Sequence, residues 1–234
     1  MKKISELDFQ AGEVLLFNKP KTWTSFDVVK KIRGLIRIKK VGHAGTLDPL
    51  ATGMLILCTG KKTKTIESIQ DQEKEYSVEF RLGEVTASYD AELPPENPKD
   101  CKHLTQEMIE AALPAFRGEI TQIPPIYSAV KIDGKRAYKA ARKGQDIKMR
   151  PRQVSVYEFR LEEFRPPNWA SAVIRCSKGT YIRSLVHDLG QALGVGAYIL
   201  ELERTRIGAH ELVNAWEIEE FAQALLASRN QQED

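Results

Sequence analysis

Apolar positions along the chain fall into short runs and periodic stretches, divided by polar and glycine-rich joints. Val14-Leu15-Leu16-Phe17 is a short strand halted by Asn18-Lys19-Pro20. Thr24-Ser25-Phe26-Asp27 has the spacing of a capping box, with Thr24 as N-cap. Val28, Val29, Ile32, Leu35 and Ile36 follow at helical spacing, with Lys30, Lys31, Arg33 and Arg37 on the other side. Met54-Leu55-Ile56-Leu57-Cys58 is unbroken, apolar and stopped at Gly60, as a buried strand would be. Tyr76, Val78, Phe80 and Leu82 alternate with polar residues, which predicts a half-buried strand. A helix capped by Thr105 should turn Met108, Ile109, Ala112, Leu113 and Phe116 inward.

Asp133-Gly134 marks a hairpin turn, and residues 136–143 read as a short basic helix. Residues 154–164 and 170–176 are two further strands. Thr180 should cap a helix with the stripe Ile182, Leu185, Val186, Leu189 and Leu193, closed by Gly194. A strand over 199–207 and a helix over 216–226 complete the pattern. Strands outnumber helices and are often joined by short turns. That favours a mixed chain with a largely antiparallel sheet over a doubly wound one.

The remaining joint, residues 42–53, reads as a loop. It carries Gly42, Gly45, Gly53, His43 and the single carboxylate Asp48, and it leads into the apolar strand. Asp48-Pro49 would suit a helix start, Asp as N-cap and Pro at the first position. However, Leu50-Ala51-Thr52-Gly53 leaves barely one turn before the strand, so there is little helix to cap. Arg183 is a second irregularity, because a cation in the first turn of a helix opposes its dipole. A nearby anion would resolve it, and Asp48 is a candidate; a solvent-facing arginine is the plain alternative. A guanidinium would keep the carboxylate ionised and aimed, as a nucleophile requires. Tyr76 and Tyr181 suit either core packing or stacking on unpaired bases.

Composition removes several classes of function. The 234 residues are 42% hydrophobic and 29% charged, ordinary for a globular protein. No apolar run reaches the roughly 20 residues of a membrane span, and the N-terminus lacks a signal-peptide pattern. The three cysteines form no CxxC pair, so a cytoplasmic protein without disulfides or structural zinc is expected. No HxH or HxxxH spacing suggests a metal near residue 43, and GxSxG is absent. Gly60-Lys61-Lys62 fails as a phosphate loop, because residue 55 is Leu and residue 62 is Lys.

Net charge is +3 but unevenly spread. Residues 1–64 hold 13 Lys/Arg against 5 Asp/Glu, and residues 131–152 hold 9 against 2. Two basic segments on an otherwise acidic chain suit a one-sided polyanion footprint, or simply two solvated lysine-rich faces.

Five stretches, in order, resemble the TruB family of pseudouridine synthases. They are Phe17-Asn18-Lys19-Pro20 with Thr24-Ser25, the glycine-rich joint 42–53, Lys74-Glu75-Tyr76, Pro124-Pro125-Ile126-Tyr127-Ser128-Ala129-Val130-Lys131, and Cys176-Ser177-Lys178-Gly179-Thr180-Tyr181-Ile182-Arg183-Ser184-Leu185. The resemblance implies an α+β pseudouridine synthase fold, with a mixed, mostly antiparallel central sheet, flanking helices and loops, and a central active-site cleft. It implies an isomerase that flips a uridine, at position 55 in the T-loop of tRNA, and re-forms its glycosidic bond to carbon.

By that resemblance Asp48 is the nucleophile and Arg183 its ion-pair partner. Tyr76 stacks on the flipped base and is a candidate for proton transfer. Tyr181 lines the pocket, Leu202 forms a hydrophobic wall, His43 fills the gap in the RNA stack, and Lys19 and Pro20 support the site. No metal or cofactor is implied, and the expected partner is the T-arm stem-loop of tRNA, with no membrane or protein partner, for a monomer. Residues 1–234 are expected to form a single catalytic domain, with a PUA-like C-terminal RNA-binding domain absent or vestigial. The basic segments 30–40 and 131–152 are expected to compensate. A non-catalytic RNA binder, or the same chemistry on another RNA, are the alternatives.

Overall fold

The computed structural model describes residues 3–128, 130–132, 135–137, 141 and 148–233, with backbone alone for 131, 132, 135, 136 and 231–233. The chain divides into two compact units, Met1–Glu75 with Glu203–Asp234, and Tyr76–Leu202.

The first unit is built around β3 (Thr52–Thr59). On one edge β1 (Val14–Lys19) pairs antiparallel, from Val14 opposite Cys58 to Lys19 opposite Gly53. On the other edge β2 (Val41–Ala44) pairs antiparallel with Ile56–Thr59, while β10 (Ala197–Ile207) pairs parallel at Thr52 and Gly53. Alternate residues of β3 enter different cores. Leu55 and Leu57 join Phe17, Val28, Ile32 and Phe221; Met54, Ile56 and Cys58 join Ile69 and Ile207. A strand covered on both faces has no polar alternation, which is why its sequence is a continuous apolar run.

α1 (Ser25–Ile36) starts as its sequence predicts. Thr24 Oγ1 accepts the Asp27 N–H at 3.1 Å, and the Asp27 carboxylate accepts the Thr24 N–H at 2.9 Å. α2 (Ile66–Gln70) follows a 3-10 stretch after β3. β11 (His210–Glu211) pairs with the end of β10. The C-terminal helix begins at Ile218, later than its sequence suggests: Trp216 instead forms an extended bridge to Phe17. Phe221 then packs edge-on against Phe17 at 5.1 Å between ring centres.

In the second unit the strand order is β10, β4 (Lys74–Leu82), β9 (Trp169–Cys176), β8 (Arg152–Arg165), β5 (Gly118–Gln122). β8 pairs antiparallel with both β9 and β5. α3 (Gln106–Ala112) has its Thr105 cap, and Ile109 is buried. Met108 departs from expectation. It is 43% exposed, because a seven-residue helix can turn only one narrow stripe inward.

α4 (Ile182–Ala192) buries Ile182, Leu185, Val186 and Leu189. It ends in a Schellman motif: the N–H groups of Gly194 and Val195 reach the carbonyls of Gln191 and Gly190, with Gly194 at φ +77°. β6 (Lys131–Ile132) and β7 (Lys135–Arg136) pair antiparallel, while Asp133-Gly134 and most of the expected basic helix 136–143 lie outside the described residues. The architecture is thus α+β, with a mixed and mostly antiparallel sheet.

Candidate active site

The glycine-rich joint is not wholly a loop. Val41–Ala44 forms β2, and only residues 45–51 make the turn back into β3. Asp48 and Pro49 sit at its bend, where the Ala51 N–H reaches the Asp48 carbonyl at 3.1 Å. No helix follows Asp48, so it caps none.

The turn is held at backbone groups on both sides of the carboxylate. Ser25 Oγ accepts the Leu47 N–H at 2.9 Å and donates to the Leu47 carbonyl at 3.3 Å. The Pro49 carbonyl accepts the Thr22 N–H at 2.8 Å and Lys19 Nζ at 3.3 Å. Asn18 Oδ1 accepts the Gly53 N–H at 3.1 Å. Arg204 donates from Nε to the Met54 carbonyl at 2.8 Å and from Nη2 to the Gly45 carbonyl at 3.1 Å. Gly53 has φ +94°, and a Cβ there would stand 2.4 Å from the Arg204 carbonyl oxygen. Only glycine lets β10 approach β3 this closely.

Lys19 is fully buried at the end of β1, beside Pro20. Its ammonium also donates to the carbonyls of Pro20 at 2.8 Å and Trp23 at 2.7 Å. Burial lowers its pKa to about 8, against the opposing pull of the Asp48 carboxylate; the Arg204 cation lowers it further. His43, on β2, is held below the ordinary histidine value, first by burial and then by Arg204. It is therefore a neutral ring at pH 7.

Arg183 lies in the second unit, second in α4. The N-cap is Tyr181 rather than Thr180, whose hydroxyl turns back to the Ser177 carbonyl at 3.0 Å. Gln122 fixes Tyr181 instead: its side chain accepts the Tyr181 N–H at 2.8 Å and donates to the Tyr181 carbonyl at 3.0 Å. Arg183 is 4% exposed and donates to the carbonyls of Ser88 at 2.8 Å and Tyr127 at 2.9 Å. Asp90 Oδ2 lies 3.4 Å from Nη1. That carboxylate offsets the conflict with the helix dipole. The Arg152 guanidinium stands over the Tyr181 ring at 5.5 Å. Tyr76 is buried on β4, and Leu202 is half-buried on β10.

The structure therefore holds the expected residues as two groups. Lys19, Pro20, His43 and Asp48 share the first unit; Tyr76, Tyr181, Arg183 and Leu202 share the second. Ser25, Asp90 and Arg204 had no assigned role in the sequence. For Arg204 a signal existed: it follows Leu200 and Leu202 at a strand period of two, a cation on an apolar face. Among the described residues no cluster of three or more His, Cys, Asp or Glu side chains could hold a metal ion.

Residues 33–182 match the model of the TruB family pseudouridylate synthase N-terminal domain, and residues 183–234 that of the tRNA pseudouridylate synthase B C-terminal domain. The chain belongs to the TruB family of pseudouridylate synthases. Among its TruB relatives, tRNA pseudouridine synthase B of Parabacteroides distasonis is 50% identical, covering 86% of this chain and 88% of the relative. That of Phocaeicola vulgatus is 48% identical over 94% and 95% respectively. A chain in a Cbf5–Nop10–Gar1 complex superposes with a TM-score of 0.73 at 30% identity, over 94% of this chain. A chain of an H/ACA ribonucleoprotein bound to a substrate RNA containing 2′-deoxyuridine gives 0.72 at 26% identity. This chain spans 56% of each of those two structural neighbours.

Proposed function

We propose that this TruB-family chain isomerises a uridine of tRNA to pseudouridine, at position 55 in the T-loop, with Asp48 as the nucleophile. The observation that carries the assignment of Asp48 is the turn itself. Its neighbours' backbone groups are fastened by Ser25, Thr22, Lys19, Asn18 and Arg204, so the carboxylate is carried on a fixed support. Preorganised placement is how a carboxylate gains reactivity without a change in its intrinsic chemistry. Relatives of about 50% identity named tRNA pseudouridine synthase B support the substrate class.

In this reading Arg183 pairs with Asp48 when the site is assembled, and Tyr76 stacks on the uracil after it leaves the RNA stack. Tyr181 and Leu202 complete the pocket wall, and His43, a neutral ring, fills the space the base vacates. Lys19 and Pro20 support the turn. The atoms that react are covered in a folded T-loop, so the base must flip before attack. Residues 1–234 act as one catalytic domain, monomeric and cytoplasmic, on the T-arm of tRNA without a metal or cofactor. No helix among the described residues is long and apolar enough to cross a membrane.

The test is incubation with an unmodified T-arm stem-loop, without added metal. One uridine should be converted with no change in RNA mass. Asp48→Asn should abolish conversion while RNA binding persists. An active Asp48→Asn variant would remove Asp48 from the mechanism, and no conversion of the stem-loop or of full-length tRNA would defeat the assignment.

A further inference from the structure

Gly53 lies in β3 between two buried cations. Lys19 is its register partner on β1, and Arg204 its partner on β10. Both side chains turn to carbonyls around the Asp48 turn, but they grip different parts. Lys19 holds the bend at Pro49. Arg204 holds both sides of the turn, Gly45 where β2 gives way to it and Met54 two residues past the start of β3.

Arg204 is 1% exposed, the largest of the fully buried side chains. Both of its hydrogen-bond acceptors are carbonyls rather than carboxylates. Desolvating a guanidinium for two backbone acceptors is costly, and an apolar side chain of equal volume would fill the same space at less cost. The planar fork has one property an apolar residue lacks. It spans two acceptors at once with fixed geometry. Here those acceptors lie nine residues apart in sequence and bracket the proposed nucleophile.

We propose that Arg204 is a positioning residue for the reaction at Asp48, a clamp that ties the first residue of the 45–51 turn to the strand the turn enters, so that the carboxylate keeps one orientation. The inference rests on Asp48 being the nucleophile. Arg204 acts at a distance from the substrate, through the backbone it holds. It also sets the local field. Lys19 is surrounded by Asp48, Arg204 and Asp27, and the Arg204 cation favours loss of the Lys19 proton. His43 feels the same cation.

The fork and the charge can be separated in the full-length protein with two variants, assayed on an unmodified T-arm stem-loop. Arg204→Gln removes both. Arg204→Lys keeps the charge and loses the fork. If the clamp fixes the turn, both lower kcat, with Arg204→Gln down about a hundredfold, while KM stays within about threefold of wild type. The alkaline limb of the pH–rate profile, governed by Lys19, should move upward in Arg204→Gln and stay in place in Arg204→Lys. A merely structural arginine would lower the amount of folded enzyme and leave kcat per folded molecule unchanged in both variants.

Wild-type kcat in Arg204→Lys overturns the clamp, and that comparison decides alone if Arg204→Gln does not fold. A kcat loss in Arg204→Gln with an unmoved alkaline limb also overturns the proposal as stated. An inactive wild type, or an active Asp48→Asn, would instead defeat the underlying assignment of Asp48.

Discussion

Ser25 and Leu47 are joined twice: one hydroxyl accepts the Leu47 N–H at 2.9 Å and donates to the Leu47 carbonyl at 3.3 Å. Ser25 is the first residue of α1, so the helix start and the residue before Asp48 move together. Ser25→Ala leaves a buried N–H without its acceptor. The expected cost is about 1–3 kcal/mol of stability, read as a lower urea midpoint at unchanged slope. Turnover should fall with it. An unchanged midpoint would mean water or another group satisfies Leu47.

Lys19 predicts an alkaline limit. Three carbonyls need three N–H donors, and only the ammonium supplies them. With its pKa at about 8, activity should decline as pH rises through that value. The stability effect has the opposite sign. Between about 8 and 10.5 the unfolded chain binds more protons at this group than the folded one, so its contribution to stability rises with pH. Lys19→Arg, which stays protonated, should retain a folded protein and lose the limb near 8. A limb that persists in Lys19→Arg belongs to another group.

Asp90→Ala tests the setting of Arg183. The two side chains are 8% and 4% exposed, with 3.4 Å between Oδ2 and Nη1. Removing one partner of a buried pair typically costs about 3 kcal/mol or more. Denaturant unfolding should show that loss. Stability within about 0.5 kcal/mol of wild type would show that Arg183 keeps its placement without Asp90.

His187 stacks on Tyr89, with ring centres 3.8 Å apart and planes within 13°. Burial holds its pKa below 6.5. The folded state therefore binds fewer protons than the unfolded state below pH 6.5, and stability is lost as pH falls through the folded value. His43 adds to the same trend. His187→Gln should flatten the dependence of the urea midpoint on pH below 6.5. An unchanged slope would place the acid sensitivity elsewhere.

Local chemistry was readable from the sequence; distant chemistry was not. The capping box of Thr24 and Asp27 involves residues three apart, and the structure forms it as the spacing predicts. The apolar run 54–58 was legible because both faces of β3 are covered. β2 was not legible, since Gly42 and His43 interrupt any apolar period over its four residues. Thr180 is a better intrinsic cap than Tyr181, but Gln122, about sixty residues away, holds the Tyr181 backbone and sets the helix start. The grip of Arg204 on Gly45 likewise depends on contacts made only after β10 has docked on β3.

The position of the Asp48 turn on β3 bears on how this protein fails. A strand with partners along both edges and a core on each face is among the last parts of a domain to exchange its amide hydrogens. The turn enters that strand at Thr52, so local opening elsewhere in the first unit leaves its footing in place. Such a site does not fade gradually under mild stress. It stays whole until the unit unfolds globally, so under denaturant the fixed geometry of the turn and the cooperative structure of that unit should be lost together.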